Sequence, residues 1–80
     1  MMTIKICYYA MLCEQARRDT ETRQTSAATV SALYAELAHT YQFTMPVESL
    51  RAAVNGTIVP MNTALGTGDE ITFIPPVAGG

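Results

Sequence analysis

The 80 residues predict one α+β domain, a mixed sheet of about five strands with one main helix packed on one face. Three observations carry that expectation. β-forming runs stand near both ends of the chain, at Thr3 to Tyr9 and Glu70 to Ile74. One stretch from Thr29 to Tyr41 repeats its apolar residues at helical spacing, and Asn55-Gly56 separates two short β-forming runs as a hairpin turn does.

Thr3 to Tyr9 alternates, with Ile4, Ile6 and Tyr8 on one face and Lys5, Cys7 and Tyr9 on the other, so it is expected to be a central strand. Met11 to Arg17 contains helix formers but is short; one or two turns ending near Arg18-Asp19 are expected. Thr20 to Thr25 is polar and threonine-rich with no apolar face, which suits an edge strand pairing back on the first.

Thr29 can cap a helix whose residues Val30, Leu33, Tyr34, Leu37 and Tyr41 form one stripe. A connection through Phe43, Pro46 and Leu50 then leads to the strand Arg51 to Val54. Asn55-Gly56 supplies the two positive-φ positions of a type I′ turn into Thr57 to Val59, and Pro60 ends that strand. The turn from Ala64 to Asp69 delivers the last strand. Strand, short helix, strand, helix and three strands is an order that a ubiquitin-like β-grasp fits, with the folded body expected over 1–74 and an extended tail over 75–80.

Composition narrows the function. A domain this small buries only roughly 60% of its unfolded surface. With 49% hydrophobic and 15% charged residues, part of its apolar surface is expected to be covered by a partner protein. A net charge of −2 with five scattered Lys and Arg argues against nucleic acid. The absence of a long apolar run or a basic-hydrophobic leader argues against a membrane and for the cytosol.

Several chemistries are weak. Gly66 and Gly68 complete no phosphate-binding motif, and no helix pattern follows them. Asp69 and Glu70 are adjacent and so point apart in a strand. His39, the one histidine, belongs in solvent at a helix C-terminus, and without a CxxC no metal site is expected. Cys7 and Cys13 are read as reduced thiols; Cys7 is expected to be buried, and neither has an identifiable base. The Tyr34 and Tyr41 stripe is expected in or near the core.

The stretch Pro75-Pro76-Val77-Ala78-Gly79-Gly80 is different. Two prolines stiffen its base, and two glycines without Cβ can pass where larger residues clash. A flexible linker needs no apolar lead-in such as Phe73-Ile74-Pro75-Pro76-Val77. The carboxylate of Gly80 is therefore the group whose setting asks for a chemical explanation.

Leu50-Arg51-Ala52-Ala53-Val54-Asn55-Gly56, Gly68-Asp69-Glu70-Ile71 and Phe73 to Gly80 resemble the small subunit of molybdopterin synthase, the MoaD family of sulfur carriers, which is grouped with ThiS among ubiquitin-like proteins. Length and element order match throughout, and the match is specific from Leu50 onward. Members commonly place an arginine before the glutamate of the first short helix, where this chain has Cys13 before Glu14.

The resemblance implies a non-catalytic carrier subunit of a sulfurtransferase, with no cofactor of its own. An E1-like (MoeB-like) enzyme uses ATP to adenylate Gly80, and a sulfur donor displaces AMP to leave a thiocarboxylate. The sulfur then passes to cyclic pyranopterin monophosphate inside a large (MoaE-like) subunit, in a heterotetramer, with two charged carriers consumed per pterin. Val77, Ala78 and Gly79, with Pro75 and Pro76, would thread the partner channels, and Phe73, Ile74 and Ile58 would form the partner interface. Extended, Pro75 to Gly80 spans roughly 20 Å at about 3.3 Å per residue. Ordering Val77 to Gly80 costs about 1–2 kcal/mol of backbone entropy per residue, which the prolines reduce. Two other expectations stand beside this one: a ThiS-like carrier for thiamin thiazole synthesis, and a ubiquitin-like modifier, for which Lys5 would be the sole internal lysine for chains.

Overall fold

Alternation of β-branched and aromatic residues makes β1 (Met2–Tyr8), and Tyr9 leaves the strand with its side chain 57% exposed. The computed structural model describes residues 1–76. After β1 come α1 (Ala10–Ala16), β2 (Thr20–Thr25), α2 (Val30–Tyr41), a 3-10 turn at Val47–Ser49, β3 (Arg51–Val54), β4 (Thr57–Val59) and β5 (Glu70–Ile74). The 3-10 turn lies in the stretch expected only as a connection.

The five strands stand in the order β2-β1-β5-β3-β4. β1 pairs antiparallel with β2 and parallel with β5, while β3 pairs antiparallel with both β4 and β5. The sheet is a β-grasp sheet, and its middle strand is β5 rather than β1. β1 is interior, with β2 as the polar edge outside it.

Thr29 caps α2 as its sequence position suggested: its Oγ1 accepts the Ala32 N–H at 3.1 Å. Gln42 closes the helix in the left-handed conformation at φ 59°, and His39 is exposed in the last turn. Val30, Leu33, Tyr34 and Leu37 are buried against Ile4, Ile6, Ile71 and Phe73, and Leu12 and Ala16 of α1 close one end. Tyr34 packs at 5.4 Å from Phe73 between ring centroids, which puts this stripe in the core.

β2 has few apolar residues and is fastened by polar contacts instead. Glu21 Oε1 accepts the hydroxyls of Tyr8 and Tyr41, each at 2.6 Å. Arg23 Nε donates to Glu36 of α2 at 2.7 Å, and Thr25 Oγ1 donates to the same carboxylate at 2.9 Å. Among the described residues no buried side-chain nitrogen or oxygen lacks a partner, so this network adds no unpaired polar group to the interior. No helix of the described residues is long and apolar enough to cross a membrane.

Candidate functional site

The tail expected to carry the chemistry leaves the sheet from its middle strand. β5 is hydrogen-bonded on both sides: Tyr8 stands beside Phe73, Ala52 beside Phe73 on the other flank, and Arg51 beside Ile74. A strand held on two sides gives whatever follows Ile74 a fixed point of departure. Pro75 is half-buried and Pro76 exposed, and neither belongs to a regular element. Val77, Ala78, Gly79 and Gly80 lie outside the described residues.

Alternation divides β5 between two faces. Ile71 and Phe73 turn toward α2 and are both fully buried, while Thr72 and Ile74 turn to the other face and are half-buried. Phe73 was expected at a partner interface; at 0% exposure it presents no surface to a partner and belongs to the core. The reason is the two-residue period, which cannot send Phe73 and Ile74 to the same side.

Among the described residues the face opposite α2 carries no helix. Strand pairing lines up Ile58, Ala53, Thr72, Cys7 and Thr20 in one row across it. Ile58 is 55% exposed and Ile74 half-buried, so both expected interface residues stand on this open face. One side of the row is bounded by Lys5 and Glu70, whose charges approach to 3.5 Å, and the other by Arg51 beside Ile74. Being about half exposed, that ion pair contributes at most about 1 kcal/mol. Cys7 was expected to be buried, but it sits in this uncovered row and is half-buried. The small-residue middle of the row, Ala53, Thr72 and Cys7, was not singled out in the sequence because it is assembled from three strands; the hairpin register and strand alternation together would have revealed it.

The turn into β5 is tightly built. Gly66 N–H donates to Asp69 Oδ2 at 2.7 Å, Asn55 Nδ2 donates to Asp69 Oδ1 at 3.0 Å, and Glu70 N–H donates to Asn55 Oδ1 at 2.9 Å. The adjacent acids thus serve the turn and the surface rather than acting as a pair. Among the described residues no three His, Cys, Asp or Glu side chains converge as a metal site would require.

The chain is similar in sequence and in fold to known proteins. The sequence profile of the ThiS family matches residues 6–80. The chain belongs to the ThiS family. Within it, the molybdopterin synthase sulfur carrier subunit of Mycobacterium tuberculosis is 32% identical, with all of both chains covered. That of Escherichia coli is 35% identical over 96% of this chain and 99% of the relative. Among solved structures, the complex of subunits 1 and 2 of molybdopterin-converting factor from Helicobacter pylori contains a chain of the same fold. It is 21% identical, with a TM-score of 0.68, and 99% of this chain and 100% of that one are covered. The architecture of this ThiS-family chain is the ubiquitin-like β-grasp expected from its element order.

Proposed function

We propose that this chain is the sulfur carrier subunit of a molybdopterin synthase, charged at Gly80. The observation that carries the reading is similarity over the full length to two molybdopterin synthase sulfur carrier subunits, in a chain that contains Pro75-Pro76-Val77-Ala78-Gly79-Gly80. An E1-like enzyme lets the Gly80 carboxylate attack the α-phosphate of ATP, releasing pyrophosphate and leaving an acyl-adenylate. A sulfur donor displaces AMP, and the resulting thiocarboxylate delivers its sulfur to cyclic pyranopterin monophosphate in the large subunit. ATP is the activating enzyme's substrate, and the carrier holds no cofactor.

The body contributes position rather than catalysis. A middle strand pinned on both flanks supports a tail that enters partner sites, and the open face with Ile58 and Ile74 offers apolar area for the partners that receive it. Gly79 and Gly80 present no Cβ to a narrow channel.

The test is intact-mass measurement after incubation with ATP, an activating enzyme and a sulfur donor, comparing wild type with a Gly80 deletion. The wild type should gain the mass difference of sulfur over oxygen and the deletion should not. A wild-type mass that never shifts would sink the carrier reading. Supplying the large subunit and the pterin precursor then distinguishes the pathway, since a thiazole carrier yields no molybdopterin. Gly79→Val should keep the fold and lose most activation or transfer; normal turnover would argue against a narrow channel.

A further inference from the structure

The two cysteines fall at one place in the fold. Cys7 near the end of β1 and Cys13 in α1 line the same cavity of about 340 Å³, together with Tyr9, Ala10, Asp19 and Thr20. Both thiols are free and both are half-buried, so reagents in solution can reach them. The volume lies at the lower end of the range of small-molecule pockets.

We propose that Cys7 and Cys13 form a thiol–disulfide exchange site for low-molecular-weight disulfides, which oxidise the pair to an intramolecular Cys7–Cys13 bridge. It concerns side chains of the body rather than the tail, although Cys7 stands on the same open face that carries Ile58 and Ile74.

The two thiols are not equivalent. Cys13 Sγ donates to Asp19 Oδ1 at 2.9 Å. That hydrogen bond, followed by burial and by the charges of Asp19 and Glu14, pushes the Cys13 thiol above its ordinary range and keeps it protonated at neutral pH. Besides Asp19, the titratable residues lining the same cavity are Cys7, Tyr8, whose hydroxyl donates to Glu21, and Tyr9. The Cys13 sulfur is engaged by Asp19 and the Cys7 sulfur has no such hydrogen bond, so Cys7 is the first nucleophile.

The chemistry balances in two exchanges. Cys7 sulfur attacks one sulfur of the disulfide, the S–S bond breaks, and one small thiol leaves with the proton that Cys7 gave up. Cys13 then attacks the Cys7 sulfur of the mixed disulfide and releases the second small thiol with its own proton. The protein pair loses two electrons and the small disulfide gains them.

The second exchange closes a bridge, which needs Cα atoms about 4.4–6.8 Å apart. The joint between the two elements is Ala10, which holds φ 52°, a left-handed conformation rare for any residue but glycine. A strained joint between the elements bearing the two sulfurs is where any adjustment to that separation would be taken up.

The experiment uses the reduced full chain, oxidised glutathione as the probe, and intact mass under non-reducing conditions. Wild type should finish as a monomer lighter by two hydrogens, with reductant restoring the original mass. Cys13→Ser should stop at one glutathione adduct, and Cys7→Ser should gain its single adduct more slowly. A wild type that ends with two glutathione adducts, an unchanged mass or a disulfide-linked dimer would overturn the proposal. In the Cys7→Ser background, Asp19→Asn should move the pH profile of Cys13 alkylation by iodoacetamide to lower pH; an unmoved profile would remove Asp19 from the site.

Discussion

Asn55 does three things at one position: it takes φ 52° in the hairpin turn, its amide donates to Asp69, and its carbonyl oxygen accepts from Glu70 N–H. Asn55→Ala would force alanine into a conformation costing about 1–2 kcal/mol and delete two exposed hydrogen bonds worth about 0.5–1.5 kcal/mol each. A loss of about 2 kcal/mol is expected, read as a lower urea midpoint with unchanged slope. Asn55→Gly, which keeps the turn and loses only the bonds, should lose less. Phe73→Ala, at a fully buried position between Tyr8 and Ala52, should cost about 3–5 kcal/mol in the same measurement. The Asn-Gly dipeptide was legible in the sequence because turn chemistry is local. The link from Asn55 to Asp69 was not, because that partner is 14 residues away. Phe73 was misplaced for a related reason: as part of an apolar run toward the tail it suggests a contact surface, and only its phase with Ile71 assigns it to the core.

At the scale of elements, β2 is held to the rest by Glu21 and by the pairing of Arg23 and Thr25 with Glu36. Burial alone would raise the Glu21 carboxyl, but the hydroxyls of Tyr41 and Tyr8 and the charges of Arg23 and Arg18 outweigh it and hold the group below the usual value of 4.5. A depressed carboxyl contributes stability that is fully present above the unfolded-state value and is lost as pH falls through the folded-state value. Glu21→Gln should therefore unfold at lower temperature than wild type at pH 7, by about 1 kcal/mol, and the gap should narrow as pH drops below about 4. A gap that stayed constant with pH would mean that the charge of Glu21 adds nothing beyond its shape. Periodicity showed where β2 and α2 lie, but a strand without an apolar face says nothing about its fastening. That fastening joins side chains 11 to 20 residues apart, and only the packed fold shows it.

At the scale of the molecule, the decisive asymmetry is that, among the described residues, one sheet face is covered by α2 and the other by no helix. Element order was legible enough to predict the β-grasp, yet the open face exists only once β3, β4 and β5 are in register. If partners dock there, Ile58 and Phe73 should behave in opposite ways although both belong to the β3–β4–β5 half of the sheet. Ile58→Asp replaces an apolar side chain that is 55% exposed on an edge strand, so its effect on stability should stay within about 0.5 kcal/mol. In calorimetric titration with the large subunit the same change should weaken binding by tenfold or more, about 1.4 kcal/mol, because it places an unpaired charge against apolar area that the complex covers. Phe73→Ala should instead lower stability, and its effect on binding should follow the fraction of folded protein. An Ile58→Asp variant that binds like wild type would move the docking surface off the open face. The fixed departure of β5 would still stand in that case, because it depends on the strands flanking it and not on what covers them.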